Sequence, residues 1–276
     1  MSQWREMALR TTILRTTYGS ELYGLNLPES ADRDEFGVCV EDIDALVGFS
    51  EFGQDIYRTA AEREGKHDAR SGSGDLDLKT YGLRKFISLA LGSNPDVLPV
   101  LYAPPELTLI CDSRGQALQA LAPHIVSAKA GGKFLGYLRD QLERLVGLRG
   151  GKDVHRPELV EKYGYDTKYA MHSLRLGYQG IELLSTGRIT LPMREPDRSY
   201  IRDVRVGKVT LSDVIELGRA LEDQLDLLRS TTILPPEPNV GVVQKWMVQT
   251  YLDTWNTPST PPTMEQIQLD LIGGSV

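Results

Sequence analysis

Residues 18–40, YGSELYGLNLPESADRDEFGVCV, constrain the fold more than any other stretch of this chain. Two carboxylates, Asp32 and Asp34, stand one residue apart where the sequence turns apolar. Side chains alternate across a strand, so both acids share one face, with Arg33 and Glu35 on the other. Carboxylates that close repel, and one keeps its proton unless a cation neutralises the pair.

The segment DLDLKTY (75–81) has the period of a half-buried strand and places a further acid, Asp77, between Leu76 and Leu78. Asp75 lies on the same face. If the two strands are neighbours, Asp32, Asp34 and Asp77 converge. Magnesium is a hard cation held by one or two carboxylates together with substrate phosphates, and three carboxylates can hold two ions, one on an attacking hydroxyl and one on a leaving pyrophosphate. Gly19 and Ser20 follow a β-branched run (9–18) that reads as a strand. A Gly-Ser there lets backbone amides and a hydroxyl approach a phosphate. The plainer alternative makes 32–34 an ordinary turn of a generic α+β domain.

The periodicity predicts a helix from Gly82 to a stop at Gly92; residues 54–70 are polar and charged, and 69–75 read as a flexible loop by composition. From about 116 the pattern becomes helical: 133–147 with Phe134, Leu138, Leu142 and Leu145 on one stripe, then 167–187, 210–228 and 240–255. Lys168, His172 and Arg175 fall at i, i+4 and i+7, within roughly a 60° arc of one helix, a potentially cationic stripe fit for a triphosphate or the backbone of an acceptor strand. A solvated helix face or a satisfied buried histidine is the competing reading. Asp166 or Thr167 caps that helix. The loop 147–158, with Arg149, Lys152 and Arg156, is Gly-rich and basic.

A formal net charge of −7 argues against non-specific nucleic-acid coating. The two cysteines, Cys39 and Cys111, read as reduced thiols of a cytoplasmic protein, and His67, His124 and His155 have no zinc-like spacing. No apolar run approaches the ~20 residues that span a bilayer.

The Gly-Ser, spacer and Asp-x-Asp of residues 19–34 resemble the signature of the DNA polymerase β superfamily of nucleotidyltransferases. The blocks GSELYG, Pro28, Ser30 to Asp34, 81–104 and 165–189 resemble its RNA-repair-associated family more closely. The resemblance implies an α+β fold: a nucleotidyltransferase core of mixed sheet and flanking helices over 1–115, then a helical domain over 116–276 that completes the cleft. It implies that Gly19 and Ser20 hold a triphosphate and that Asp32 and Asp34 bind the metals (magnesium, or manganese). Asp77 stands as the third carboxylate, Asp75 as its substitute, and Lys168, His172 and Arg175 neutralise phosphate charge. The expected reaction moves a nucleoside monophosphate from an NTP to an acceptor hydroxyl, with an RNA end as partner. Alternatives are a protein or small-molecule acceptor, or a non-catalytic nucleotide sensor. Arg33 and Glu35 depart from the apolar residues usual beside the acids.

Overall fold

The computed structural model describes residues 2–27, 32–49, 51–66, 69, 71–148 and 156–256. Its first half runs α1 (Gln3–Arg10), β1 (Thr12–Thr17), α2 (Gly19–Leu22), β2 (Arg33–Cys39), α3 (Ile43–Val47), β3 (Gln54–Arg58), α4 (Thr59–Glu64), β4 (Leu76–Gly82) and α5 (Leu83–Leu91). Two 3-10 turns and β5 (Thr108–Cys111) follow. The rest is helical: α6 (Ser113–Ala120), α7 (Ala122–Ile125), α8 (Lys129–Leu145), α9 (Pro157–Tyr163), α10 (Thr167–Thr186), α11 (Asp197–Arg205), α12 (Leu211–Thr231) and α13 (Val240–Asn256).

The sheet is mixed, in the order β3-β4-β2-β1-β5; β2 and β4 are parallel and the other neighbours antiparallel. One local expectation needs correction: residues 9 and 10 end a helix, so β1 starts at Thr12. The polar, charged stretch beyond 54 carries an edge strand and a helix, β3 and α4. An edge strand with the exposure of β3 shows no clean alternation, which is why its period is silent. The stop expected at Gly92 is present: α5 ends at Leu91, Gly92 follows at φ −76°, and the left-handed position falls on Ser93, at φ 57°.

Glu35 answers the difficulty of a charged residue in a central strand. It is buried on the face away from Asp34 and paired with the equally buried Arg15 of β1. The acids therefore keep their face, while on the opposite one Glu35 is neutralised by Arg15, with Arg33 Nε at 4.0 Å.

In the helical half, caps and close packing set the geometry. The Asp166 side chain accepts from the amides of Lys168 and Tyr169, and Thr210 accepts from Asp213, so α10 and α12 begin where polar side chains satisfy their first amides. Phe134, Leu138 and Leu142 of α8 are buried. A Cβ at Gly180 of α10 would lie 2.8 Å from both Phe134 Cβ and Leu225 Cδ2, so only glycine lets α8 and α12 close on α10 here.

One cluster of buried apolar side chains reaches from Ile13 to Tyr251. Its last contributor comes with a polar clasp. Glu41, just past β2, is 1% exposed and accepts from the Leu83 amide (2.9 Å) and the Tyr251 hydroxyl (2.7 Å). Trp255 donates to the Glu41 carbonyl at 2.9 Å. Burial raises the Glu41 carboxyl above its usual range. Cys39 and Cys111 are free thiols. No described helix is long and apolar enough to cross a membrane.

Candidate active site

Parallel pairing of β2 and β4 sets Asp34 in register with Asp77. Neighbouring strands lie about 4.8 Å apart and paired residues share a face, so these side chains stand together. Asp32 immediately precedes β2 and is exposed. Burial, then Asp32, then Asp77 raise the Asp34 carboxyl above its ordinary value, while Lys168 opposes them. The strand register brings Asp77 beside Asp34, and Asp32 lies close enough to act on the Asp34 carboxyl. Among the described residues, however, no three His, Cys, Asp or Glu side chains stand close enough to surround one ion. Both Asp77 oxygens are occupied: Arg58 Nε donates to Oδ2 at 3.1 Å and Ser71 Oγ to Oδ1 at 2.6 Å.

Asp75 lies elsewhere. Arg63 grips it with two donors (2.6 and 3.1 Å), the Gly72 amide adds a third (2.8 Å), and together they hold its carboxyl below the usual range. Asp77, not Asp75, is the strand acid beside Asp34.

Gly19 sits directly against Asp34. Its φ is +59°, and an added Cβ would lie 3.0 Å from Asp34 Cγ and 3.1 Å from its Cβ, with Oδ2 nearer still. Glycine is required both for the turn and for the approach. The Tyr18 amide bonds the Asp34 carbonyl at 2.7 Å, which binds the end of β1 to the start of β2. Ser20 is the second residue of α2, and its carbonyl accepts from the Leu25 amide at 2.8 Å.

From the helical side comes Lys168, in the first turn of α10. Burial lowers its pKa first, then Arg156 and Arg205; Asp34 and Asp32 act in the opposite sense. Arg156 bonds Asp166 at 3.0 Å and lies over the Tyr169 ring. Arg205 of α11 reaches Thr167 at 3.3 Å. The other two members of the stripe behave differently from Lys168. Burial, then Arg175, Lys168, Arg156 and Arg205, push His172 well below its ordinary range, so it is neutral at pH 7 and adds no charge. Arg175 is 5% exposed, donates to Gln179 at 2.7 Å, and stacks 4.1 Å from the Tyr23 ring centroid. It braces the chain just after α2.

Arg205 and Arg58 are the site residues that sequence reasoning missed. Arg205 arrives on a separate helix with no local motif, and Arg58 on the edge strand. Pro28 and Ser30, and Arg149 and Lys152 of the basic loop, lie outside the described residues.

A mixed sheet bearing paired acids, a glycine turn pressed on one of them and a basic wall from the helical half define a polymerase-β-like nucleotidyltransferase core. The family model described as RNA repair pathway DNA polymerase beta family matches residues 2–223, and the chain belongs to that family. A stretch of 152 residues is 26% identical to an uncharacterized 38.9 kDa protein encoded in the nrdC-mobD intergenic region of Enterobacteria phage T4. That match takes in 51% of this chain and 40% of the phage protein, so the chain spans about two fifths of that relative's length. Among solved structures, a nucleotidyltransferase-like protein from Exiguobacterium sibiricum 255-15 aligns over 98% of this chain and 84% of its own. Its identity is 10% and its TM-score 0.29, too low to carry argument.

Proposed function

We propose that the chain transfers a nucleoside monophosphate from a nucleoside triphosphate to an acceptor hydroxyl, on an RNA end. The observation that carries this reading is the register of Asp34 with Asp77, with Asp32 beside them and Lys168 opposite. The family description supports the RNA acceptor. In this reading residues 1–115 form the nucleotidyltransferase core and 116–276 the helical domain that completes the cleft.

The donor set fits magnesium or manganese: all ligands are carboxylate oxygens, and burial, then the negative charge of Asp32 and Asp77, lifts Asp34. Asp32 and Asp34 would hold the metal, with Asp77 as the third ligand. A divalent ion bound there supplies Lewis acidity at the α-phosphate and the leaving oxygen. The chain's own residues do the rest. Gly19 and Ser20 admit the phosphates close to the backbone, and Lys168 offsets charge on the departing pyrophosphate. Arg156 and Arg205 keep that wall positive, while Arg175 fixes the turn through Tyr23. His172 serves as a neutral hydrogen-bonding group.

The test is label transfer and pyrophosphate release from each α-labelled NTP, with magnesium or manganese and a pool of small RNAs. Transfer that disappears in Asp32→Ala/Asp34→Ala supports the proposal. Nucleotide binding without turnover, unchanged in that variant, would make the protein a sensor. Loss of transfer on charge reversal at Arg149 and Lys152 would support the RNA acceptor, since a protein or small-molecule acceptor would not need that basic loop.

A further inference from the structure

We propose that Arg58 and Ser71 form a latch that keeps Asp77 out of the metal-ligand set in the substrate-free protein, an inference that rests on the nucleotidyl-transfer reading above. The three side chains close a ring. Arg58 Nε donates to Asp77 Oδ2 (3.1 Å), Ser71 Oγ donates to Asp77 Oδ1 (2.6 Å), and Arg58 Nη2 donates to Ser71 Oγ (3.1 Å). Strand register imposes the arrangement: Arg58 of β3 pairs with Asp77 across the antiparallel ladder, as Asp34 pairs with it across the parallel one. Asp77 therefore stands between a guanidinium on one flank and a carboxylate on the other.

These neighbours ask opposite things of it. Turned to Arg58, Asp77 is neutralised in a partly buried pair, with side-chain exposures of 26% and 27%. Turned to Asp34, it adds negative charge to a site already crowded with it, which is stable only when a divalent cation is present. The guanidinium and the ion compete for one carboxylate.

Ser71 can act as a fixed post because its loop is anchored independently. Asp75 is clamped by Arg63 and the Gly72 amide, and its carbonyl accepts from the Arg33 amide at 2.8 Å. Asp77 can thus leave Ser71 without dragging the loop along. Because such coupling is reciprocal, whatever weakens the latch strengthens metal binding, and bound metal loosens the latch.

The experiment titrates manganese into the metal-stripped full chain without nucleotide, reading free ion by electron paramagnetic resonance. Losing a charge-assisted bond to Asp77 should tighten binding about tenfold in Arg58→Gln and about threefold in Ser71→Ala, which removes no charge. Placed in an Asp77→Asn background, both gains should disappear. Circular dichroism and melting confirm that each variant folds, and Ser71→Ala keeps the test open if Arg58→Gln does not. Unchanged or weaker binding in the folded single variants overturns the latch. So does a gain that persists with Asp77→Asn, since removal of a nearby positive charge would then explain it. Manganese binding that survives Asp32→Ala/Asp34→Ala would instead overturn the parent reading, a separate result.

Discussion

Replacing Gly19 by alanine perturbs two quantities that can be separated. The first is backbone strain: with φ at +59°, an L-residue costs roughly 1–2 kcal/mol. In a domain of this size that lowers the melting temperature by a few degrees, at about 2–4 °C per kcal/mol. The second is displacement of Asp34. Carbon atoms pack at about 3.5–4.0 Å, whereas the new Cβ would lie 3.0 Å from Asp34 Cγ. The carboxylate must retreat by about half an ångström or more, and a 1 Å misplacement of a reacting group costs about a hundredfold. Nucleotidyl transfer should therefore fall by about tenfold or more, beyond what the loss of stability explains. Melting curves and label transfer report the two effects separately. The double variant Gly19→Ala/Asp34→Ala, which removes the obstructing carboxylate, should be more stable than the two single losses added together. A Gly19→Ala protein with wild-type melting and wild-type transfer would refute the reasoning.

Asp34 should trade stability for chemistry. Its folded pKa lies above the unfolded value of about 3.9, so its contribution is present below that pH and lost as pH rises through the folded value. In EDTA at pH 7, Asp34→Asn should melt higher than wild type, with the gain vanishing below about pH 3.9; equal melting at all pH values would contradict this. Glu35→Gln or Arg15→Met breaks a buried ion pair and should cost about 3–5 kcal/mol in urea denaturation, whereas the apolar double replacement Arg15→Met/Glu35→Leu should cost less than either. Tyr251→Phe strips one of two donors from buried Glu41 and should cost about 1–3 kcal/mol, again by urea denaturation; an unchanged midpoint would show the bond to be dispensable.

The parts of the fold legible in the sequence are those whose cause is local. Asp166 and Thr210 announce helix starts because their side chains bond amides two or three residues on. Asp34 and Asp77 show themselves because strand period alone fixes their face. What is not local was silent. The strand β3, exposed at the sheet edge, has no apolar face to alternate, so Arg58 and its hold on Asp77 could not be read. Arg205 enters the basic wall through the packing of α11 on α10, a tertiary event. Glu35 looked misplaced in a buried strand because its partner, Arg15, lies twenty residues earlier. His172 has the spacing of a cationic stripe, yet burial first, and then the charges gathered around it, keep it neutral.

The clasp between Glu41 and Tyr251 joins residues 210 apart in sequence, and the second of them lies beyond the 223 residues where the family match ends. A ribosome making this protein has synthesised the whole sheet long before the hydroxyl that satisfies Glu41 exists. Until α13 is released and docks, an interior carboxylate has the Leu83 amide but lacks its hydroxyl donor, and a chain still without α13 holds its sheet less firmly than one that has it. Prematurely terminated chains would carry that defect permanently, and a protease that samples transient openings would find them first.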